Sequence, residues 1–271
     1  MRRALHPGTH LAIIGGGFIG LEVAASAVAL GARASIIELA LRLMTRGVPE
    51  PLAARLADRH RNAGVALHLG RRIAAMAAVD DALRLTLDDG TVVAADHLLV
   101  AIGASPRTEL AVAAGLTVDG GIIVDEHLRT SDPATFAAGD CTAFPDPLTG
   151  DLIGRESRHN AELQGPLAAR NMLGAGEVLA PVPWFWSDQH EQTLQIAGTP
   201  EAGTRTVERA TAHGLLLFHL ATDDRLVGVS ALGPAALAKE FKVAQRLVEA
   251  GRRVEPRILA DPATRLKALL R

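Results

Sequence analysis

The run Gly15-Gly16-Gly17-Phe18-Ile19-Gly20 constrains this chain more than any other feature. Gly15, Gly17 and Gly20 fit the spacing G-x-G-x-x-G, and the flanking residues give that spacing its meaning. Before it, residues 11–14 form a short apolar run of the kind a buried parallel strand carries. After it, the Ala-rich stretch 18–30 reads as a helix that stops at Gly31. A strand, a glycine turn and a helix in that order receive the pyrophosphate of a dinucleotide. Gly15 permits the tight turn, Gly17 leaves no side chain between backbone and phosphate, and Gly20 lets the helix pack closely on the strand. The helix N-terminus adds N–H donors and a partial positive charge, within reach of Gly16, Phe18 and Ile19.

A second strand is expected over 33–39, centred on Ile36 and Ile37 and closed by Glu38. A carboxylate there accepts hydrogen bonds from a ribose diol and repels a 2′-phosphate, which favours NAD over NADP. Arg42 and Arg46, just downstream, weaken that preference. A helix over 49–62 and a third strand over 65–69 complete a β-α-β-α-β unit. The alternation Leu83-Arg84-Leu85-Thr86-Leu87, followed by Asp88-Asp89-Gly90, predicts a half-exposed antiparallel meander across 73–95. A buried apolar strand over 97–102 ends at Gly103.

Residues 104–119 read as a linker. Short strands are expected over 122–124 and 136–138, with a turn at Thr130-Ser131-Asp132-Pro133 between them, and a helix over 160–173. Pro181 to Pro183 marks a boundary. Strands over 194–197, 214–220 and 226–231 and an amphipathic helix over 235–250 then suggest a small α/β unit.

Composition narrows the function. The chain has 271 residues, 48% hydrophobic and 21% charged, with a formal charge of −2, which gives no reason to expect nucleic-acid binding. Residues 225–271 hold ten Lys/Arg against four Asp/Glu, either a solvated face or a surface that steers an acidic partner. The single cysteine, Cys141, excludes an internal disulfide and a multi-cysteine metal or Fe–S site. Neither a signal peptide nor a membrane span is read from the sequence, and a cytoplasmic place is the default.

Ile13-Ile14-Gly15-Gly16-Gly17-Phe18-Ile19-Gly20-Leu21-Glu22 resembles the NAD site of two-dinucleotide flavoprotein reductases, and more narrowly of the FAD-dependent NAD(P)H ferredoxin reductases that serve bacterial P450s and aromatic-ring dioxygenases. In that family the position of Glu22 lies near the nicotinamide. Thr135-Phe136-Ala137-Ala138-Gly139-Asp140-Cys141 resembles the family's second flavin motif, in which ribityl hydroxyls donate to the Asp. Glu156-Ser157-Arg158-His159-Asn160-Ala161 resembles the segment that touches the flavin ring, although the position of Arg158 usually carries an uncharged residue; His159 is read as a surface residue. Pro183-Trp184-Phe185-Trp186-Ser187-Asp188-Gln189 resembles the start of the C-terminal domain, with Trp186 beside the flavin and Trp184 structural, and the similarity continues through Leu259-Ala260-Asp261-Pro262.

The resemblance implies an α/β protein of three parts: a Rossmann-like NAD(H)-binding domain over 1–108, a partial FAD-binding domain over 109–175 and a C-terminal α+β reductase domain over 181–271. It implies FAD and NAD(H) as cofactors, a [2Fe–2S] ferredoxin as partner, Glu22 and Trp186 in the chemistry, and Gly103 among the cofactor-binding glycines. No first flavin fingerprint precedes the NAD strand, so the chain reads as N-terminally truncated, with residues 136–138 left as an uncovered sheet edge. The alternatives are a flavin-free NAD(H)-binding remnant and one half of a split reductase completed by a separate chain. A disulfide reductase or NADH oxidase would require a redox-active cysteine elsewhere.

Overall fold

The computed structural model describes residues 3–80, 82–146, 150–180 and 182–271, so Pro181 of the expected boundary, and Met1 and Arg2, lie outside the described residues. The chain forms two compact units, residues 1–103 with 186–271, and residues 104–185.

In the first unit, β1 (His10–Ile14), α1 (Phe18–Ala29), β2 (Arg33–Glu38), α2 (Glu50–Asn62) and β3 (Ala66–Leu69) follow the expected order. Three antiparallel strands come next, β4 (Ile73–Val79), β5 (Ala82–Leu87) and β6 (Val92–Ala95), and then β7 (His97–Val100). The parallel sheet runs β3-β2-β1-β7, with Leu11 opposite Ala34 on one side and opposite His97 on the other. Leu11, Ala12 and Ile13 are fully buried because β1 is interior to the sheet and carries α1 on one face. The meander covers the other face: Leu85, Leu87, Val93 and Ala95 pack on Ala12 and Ile37. The alternation in β5 therefore reported a real two-sided strand.

The stretch 97–102 departs from expectation. Among the described residues it pairs with β1 alone, its ladder stops at Val100, and Val100 and Ile102 are 57% and 70% exposed. Its apolar composition signalled pairing at a sheet edge rather than burial.

The second unit contains α3 (Glu109–Ala113), β8 (Ile122–Ile123), β9 (Thr142–Pro145), β10 (Leu152–Gly154) and α4 (Arg158–Met172). The expected linker thus contains a helical turn. The expected strand over 136–138 is absent: Phe136 makes one isolated bridge to Arg129, and the ladder strand comes later, as β9 between β8 and β10. A strand requires a neighbour with matching register, and composition alone does not show one. Nor is that stretch uncovered, since Phe136, Ala137 and Ala138 pack on Val124, Leu128, Phe144 and Leu167. The helix α4 begins at Arg158, two residues before the expected start, because Ser157 accepts from the Asn160 N–H and caps it.

The C-terminal part of the first unit is a five-stranded sheet of order β11-β12-β15-β14-β13, built from β11 (Trp184–Gln189), β12 (Gln192–Gly198), β13 (Arg205–Thr211), β14 (Gly214–Leu220) and β15 (Leu226–Gly233). Phe241, Ala244, Leu247 and Val248 of α5 (Ala238–Glu249) are buried on one side, and α6 (Pro256–Ala260) packs beside β13. The strands β11 and β13 were not anticipated. In β13 the inward positions are held by Val207 and Arg209, and a buried arginine disguises the alternation. Arg209 Nε donates to Glu240 Oε1 at 2.7 Å, and its Nη atoms donate to the carbonyls of Leu259, Asp261, Pro262 and Thr264. One guanidinium therefore fixes the C-terminal turn at 259–262, where the resemblance continues.

Replacing Arg209 by Met strands those carbonyls and the Glu240 carboxylate, and is expected to cost about 3 kcal/mol in urea unfolding. Arg209→Lys should recover little, because one ammonium cannot span acceptors on five residues. A midpoint unchanged in both variants would refute this anchoring role.

Candidate functional site

The glycine turn has the geometry its spacing implies. Gly15 has φ of +106°, donates to the Ile37 carbonyl at 2.9 Å, and a Cβ on it would stand 2.2 Å from the Ala101 carbonyl oxygen. A Cβ on Gly20 would stand 2.2 Å from the Gly15 carbonyl oxygen. Gly17 differs: it is the N-cap of α1 at φ −86°, no side chain caps the helix there, and nothing lies within 4 Å of where its Cβ would be. Two glycines are thus required by the protein's own backbone, and the third fronts open space at a helix N-terminus. That is where a pyrophosphate would approach. Phe18 is half-buried, and Ile19 is exposed.

Glu38 closes β2 and is built into this turn. Its Oε2 accepts from the Gly16 N–H at 2.6 Å and its Oε1 accepts from the Ala40 N–H at 2.7 Å. A side chain at Gly16 would meet the Glu38 carboxylate and Leu43, which explains the middle glycine. Each carboxylate oxygen keeps acceptor capacity for a diol. The two nearby arginines do not compete equally: Arg42 Nη1 donates to the carbonyls of Leu43, Met44 and Val48, so it braces the following loop, whereas Arg46 is exposed.

Glu22 sits one turn further along α1. Its Oε1 accepts from Ser187 Oγ at 2.6 Å, and Ser187 accepts from Gln189 Nε2 at 3.0 Å. Gln189 Oε1 then meets His60 Nε2 at 3.0 Å, and His60 Nδ1 meets His190 Nε2 at 3.2 Å. Ser187, Gln189 and His60 are buried. Burial pushes the His60 imidazole down to about 4. The sequence reading missed Ser187, Gln189, His60 and His190 as a group. The available signal was in β11, where polar Ser187 and Gln189 occupy the two inward positions around exposed Asp188. Trp186, on the same strand, is 39% exposed.

In the second unit, Gly139 turns at φ +90° and donates to Gln164 Oε1 at 2.7 Å, while Thr142 Oγ1 donates to the same oxygen at 3.1 Å. The Asp140 side chain that follows is exposed. Gln164 Nε2 is buried and has no hydrogen-bond partner among the described residues. Glu156 precedes the Ser157 cap and is exposed, and Arg158 pairs with Glu162 along α4 at 2.7 Å. His159 is half-buried, with its ring edge-on to Trp184 at 5.5 Å. Gly103 is exposed at φ +106°, at the end of the first unit's N-terminal segment.

The described residues contain no group of three or more His, Cys, Asp or Glu side chains suited to hold a metal, and no helix among them is long and apolar enough to cross a membrane.

Residues 1–165 match the pyridine nucleotide-disulphide oxidoreductase family, and residues 184–270 match the reductase C-terminal family. The chain is 41% identical over its whole length to the ferredoxin–NAD(+) reductase component of the anthranilate 1,2-dioxygenase system of Burkholderia cepacia, covering 66% of that protein. It is 34% identical over its whole length to putidaredoxin reductase CamA of Pseudomonas putida, covering 64% of it. The crystal structure of a covalent putidaredoxin reductase–putidaredoxin complex superposes with a TM-score of 0.91 at 34% identity, over 99% of this chain and 65% of that one. The chain thus spans just under two thirds of the length of these relatives.

Gly17→Ala is expected to lower the unfolding free energy by no more than about 1 kcal/mol, the cost of Ala in place of Gly at an N-cap. Gly15→Ala and Gly20→Ala force backbone apart and should unfold the unit far earlier; equal midpoints for all three variants would contradict the division of roles.

Stability should also follow the buried histidines. An unfolded imidazole titrates near 6.5, whereas His60 and His219 are pushed down to about 4 by burial. Between those values the unfolded chain binds more protons, so this stability is complete above pH 6.5 and is lost progressively toward pH 4. Urea unfolding should show a lower midpoint at about pH 5.5 than at pH 7.5, where carboxylates are ionised at both values. A flat or rising midpoint would contradict it.

Proposed function

Since the chain belongs to the pyridine nucleotide-disulphide oxidoreductase family, we propose that it binds NADH at the glycine turn and passes its electrons, through FAD, to a [2Fe–2S] ferredoxin that serves an oxygenase. The observation that carries the dinucleotide half of this reading is the Gly16–Glu38 hydrogen bond, which ties the ribose-reading carboxylate to the phosphate-reading turn. The electron-transfer half is supported by relatives named as ferredoxin reductases, one solved with its putidaredoxin bound. A cytoplasmic place fits this reading.

Each residue has a task under this reading. The N–H groups at the start of α1 receive the pyrophosphate, Gly15, Gly16, Gly17, Phe18, Ile19 and Gly20 shape its approach, and Glu38 accepts from the adenosine ribose. Glu22 addresses the nicotinamide end, and Trp186 is the flavin-side aromatic. NADH leaves as NAD(+) after giving up a hydride, two electrons with one proton; two ferredoxins each take one electron, and the proton is released to water.

The second unit fits a flavin where it can be tested. The Gly139 turn presents an exposed Asp140 carboxylate, Gln164 leaves a buried N–H group unpaired behind it, and α4 offers a capped N-terminus beside Glu156 and Arg158. Gly139, Asp140, Glu156 and the Arg158 backbone are the residues assigned to hold it. When bound, FAD supplies the conversion between a two-electron hydride and single electrons.

Equilibrium binding of NADH and NADPH tests the first half of the reading. Wild type should prefer NADH. Glu38→Ala should narrow the preference about tenfold through the lost charge-assisted hydrogen bonds. Gly17→Leu should abolish binding of both while the fold persists. NADH affinity unchanged by Gly17→Leu would sink the site. The visible spectrum with added FAD tests the second half: flavin bands that NADH bleaches support an active reductase, and absence of bound flavin beside intact NADH binding would reduce the chain to a dinucleotide-binding unit.

A further inference from the structure

We propose that the β11 segment positions Glu22 for the nicotinamide end of NAD(H) through a directed chain of hydrogen bonds from His190 through His60, Gln189 and Ser187. This inference rests on the dinucleotide reading given above and adds four residues to that site.

Donor and acceptor chemistry fixes the direction of the chain. The Glu22 carboxylate only accepts, so Ser187 must donate its single proton to it across 2.6 Å. Ser187 Oγ must then accept from its other neighbour, so the Gln189 amide faces it with Nε2, at 3.0 Å. The reversed amide would require Ser187 to donate twice. Gln189 Oε1 therefore accepts from His60 Nε2–H, His60 Nδ1 is left as an acceptor, and His190 Nε2–H fills it at 3.2 Å. Every donor in the chain points toward Glu22.

Two further observations set this apart from incidental packing. His190 is held at φ +56°, a conformation disfavoured for a residue with a Cβ, and in it the ring meets His60 edge-on with centroids 4.6 Å apart. Next to it, Arg59 pairs with Glu191 through two hydrogen bonds, so α2 and the β11–β12 turn are joined beside the chain as well as through it. Glu22 itself stays half-exposed, with Oε1 committed to Ser187. The second oxygen is thereby aimed, because rotation of the carboxylate would break the 2.6 Å bond.

Positioning and mere structural support are separated by comparing NADH with ADP-ribose, which lacks the nicotinamide. In the full chain, Ser187→Ala should raise the Kd for NADH about tenfold while leaving that for ADP-ribose within about twofold, as expected for a lost hydrogen bond to a charged group acting at one end of the ligand. Ser187→Thr, which keeps the hydroxyl, should restore most of the NADH affinity. Gln189→Met, which fills similar space without donating, should behave as Ser187→Ala does and serves if that variant misfolds. Equal losses for both ligands, or no loss for either, would overturn the positioning role while wild-type binding of ADP-ribose still upheld the dinucleotide site. Failure of the wild type to bind ADP-ribose would overturn both.

Discussion

The whole N-terminal half depends on one close approach. At Gly15 the chain leaves β1, passes within 2.2 Å (Cβ position to oxygen) of the Ala101 carbonyl beyond β7, and enters α1 with Gly20 equally close to the Gly15 carbonyl. No residue with a side chain can stand at either position without parting the strands or lifting the helix off the sheet. The turn, the parallel sheet order and the placement of α1 are consequences of the same contact. Gly17, which faces open space at the head of α1, is then free to serve a ligand rather than the fold.

This explains why the first hundred residues were readable from sequence. Period-two alternation in β5, apolar runs in β1 and β2, and glycines at stops are local signals, and the structure uses them locally. Glu38 could be identified from its position, although its bonds to the Gly16 and Ala40 amides could not. The misreadings share a cause. Residues 97–102 are apolar but lie at a sheet edge, and residues 136–138 are apolar but find no ladder partner, since burial and pairing are decided by distant segments. In β13 the signal was masked because the inward position is Arg209, whose partners lie 31 to 55 residues away.

The site was legible where its residues carry the spacing of a dinucleotide turn, and illegible where they bond to one another. Glycines and acids at fixed spacing announce dinucleotide chemistry because the ligand is constant. The chain from His190 to Glu22 joins residues 130 and 165 positions apart, and no spacing rule links them. Only the inward placement of Ser187 and Gln189 on a strand hinted that β11 had a polar partner.

That partner gives the first unit its particular character. The joint between α1, α2 and β11 could have been closed with apolar side chains, and burying a serine, a glutamine and a histidine there is tolerable only because each polar atom is matched. A matched polar joint is selective in a way an apolar one is not: sliding β11 by one residue would put Asp188 where Ser187 meets Glu22, setting carboxylate against carboxylate. The register of β11 is thus set by the same carboxylate that the dinucleotide reading assigns to the nicotinamide, so the C-terminal sheet and the N-terminal site are specified by one set of hydrogen bonds.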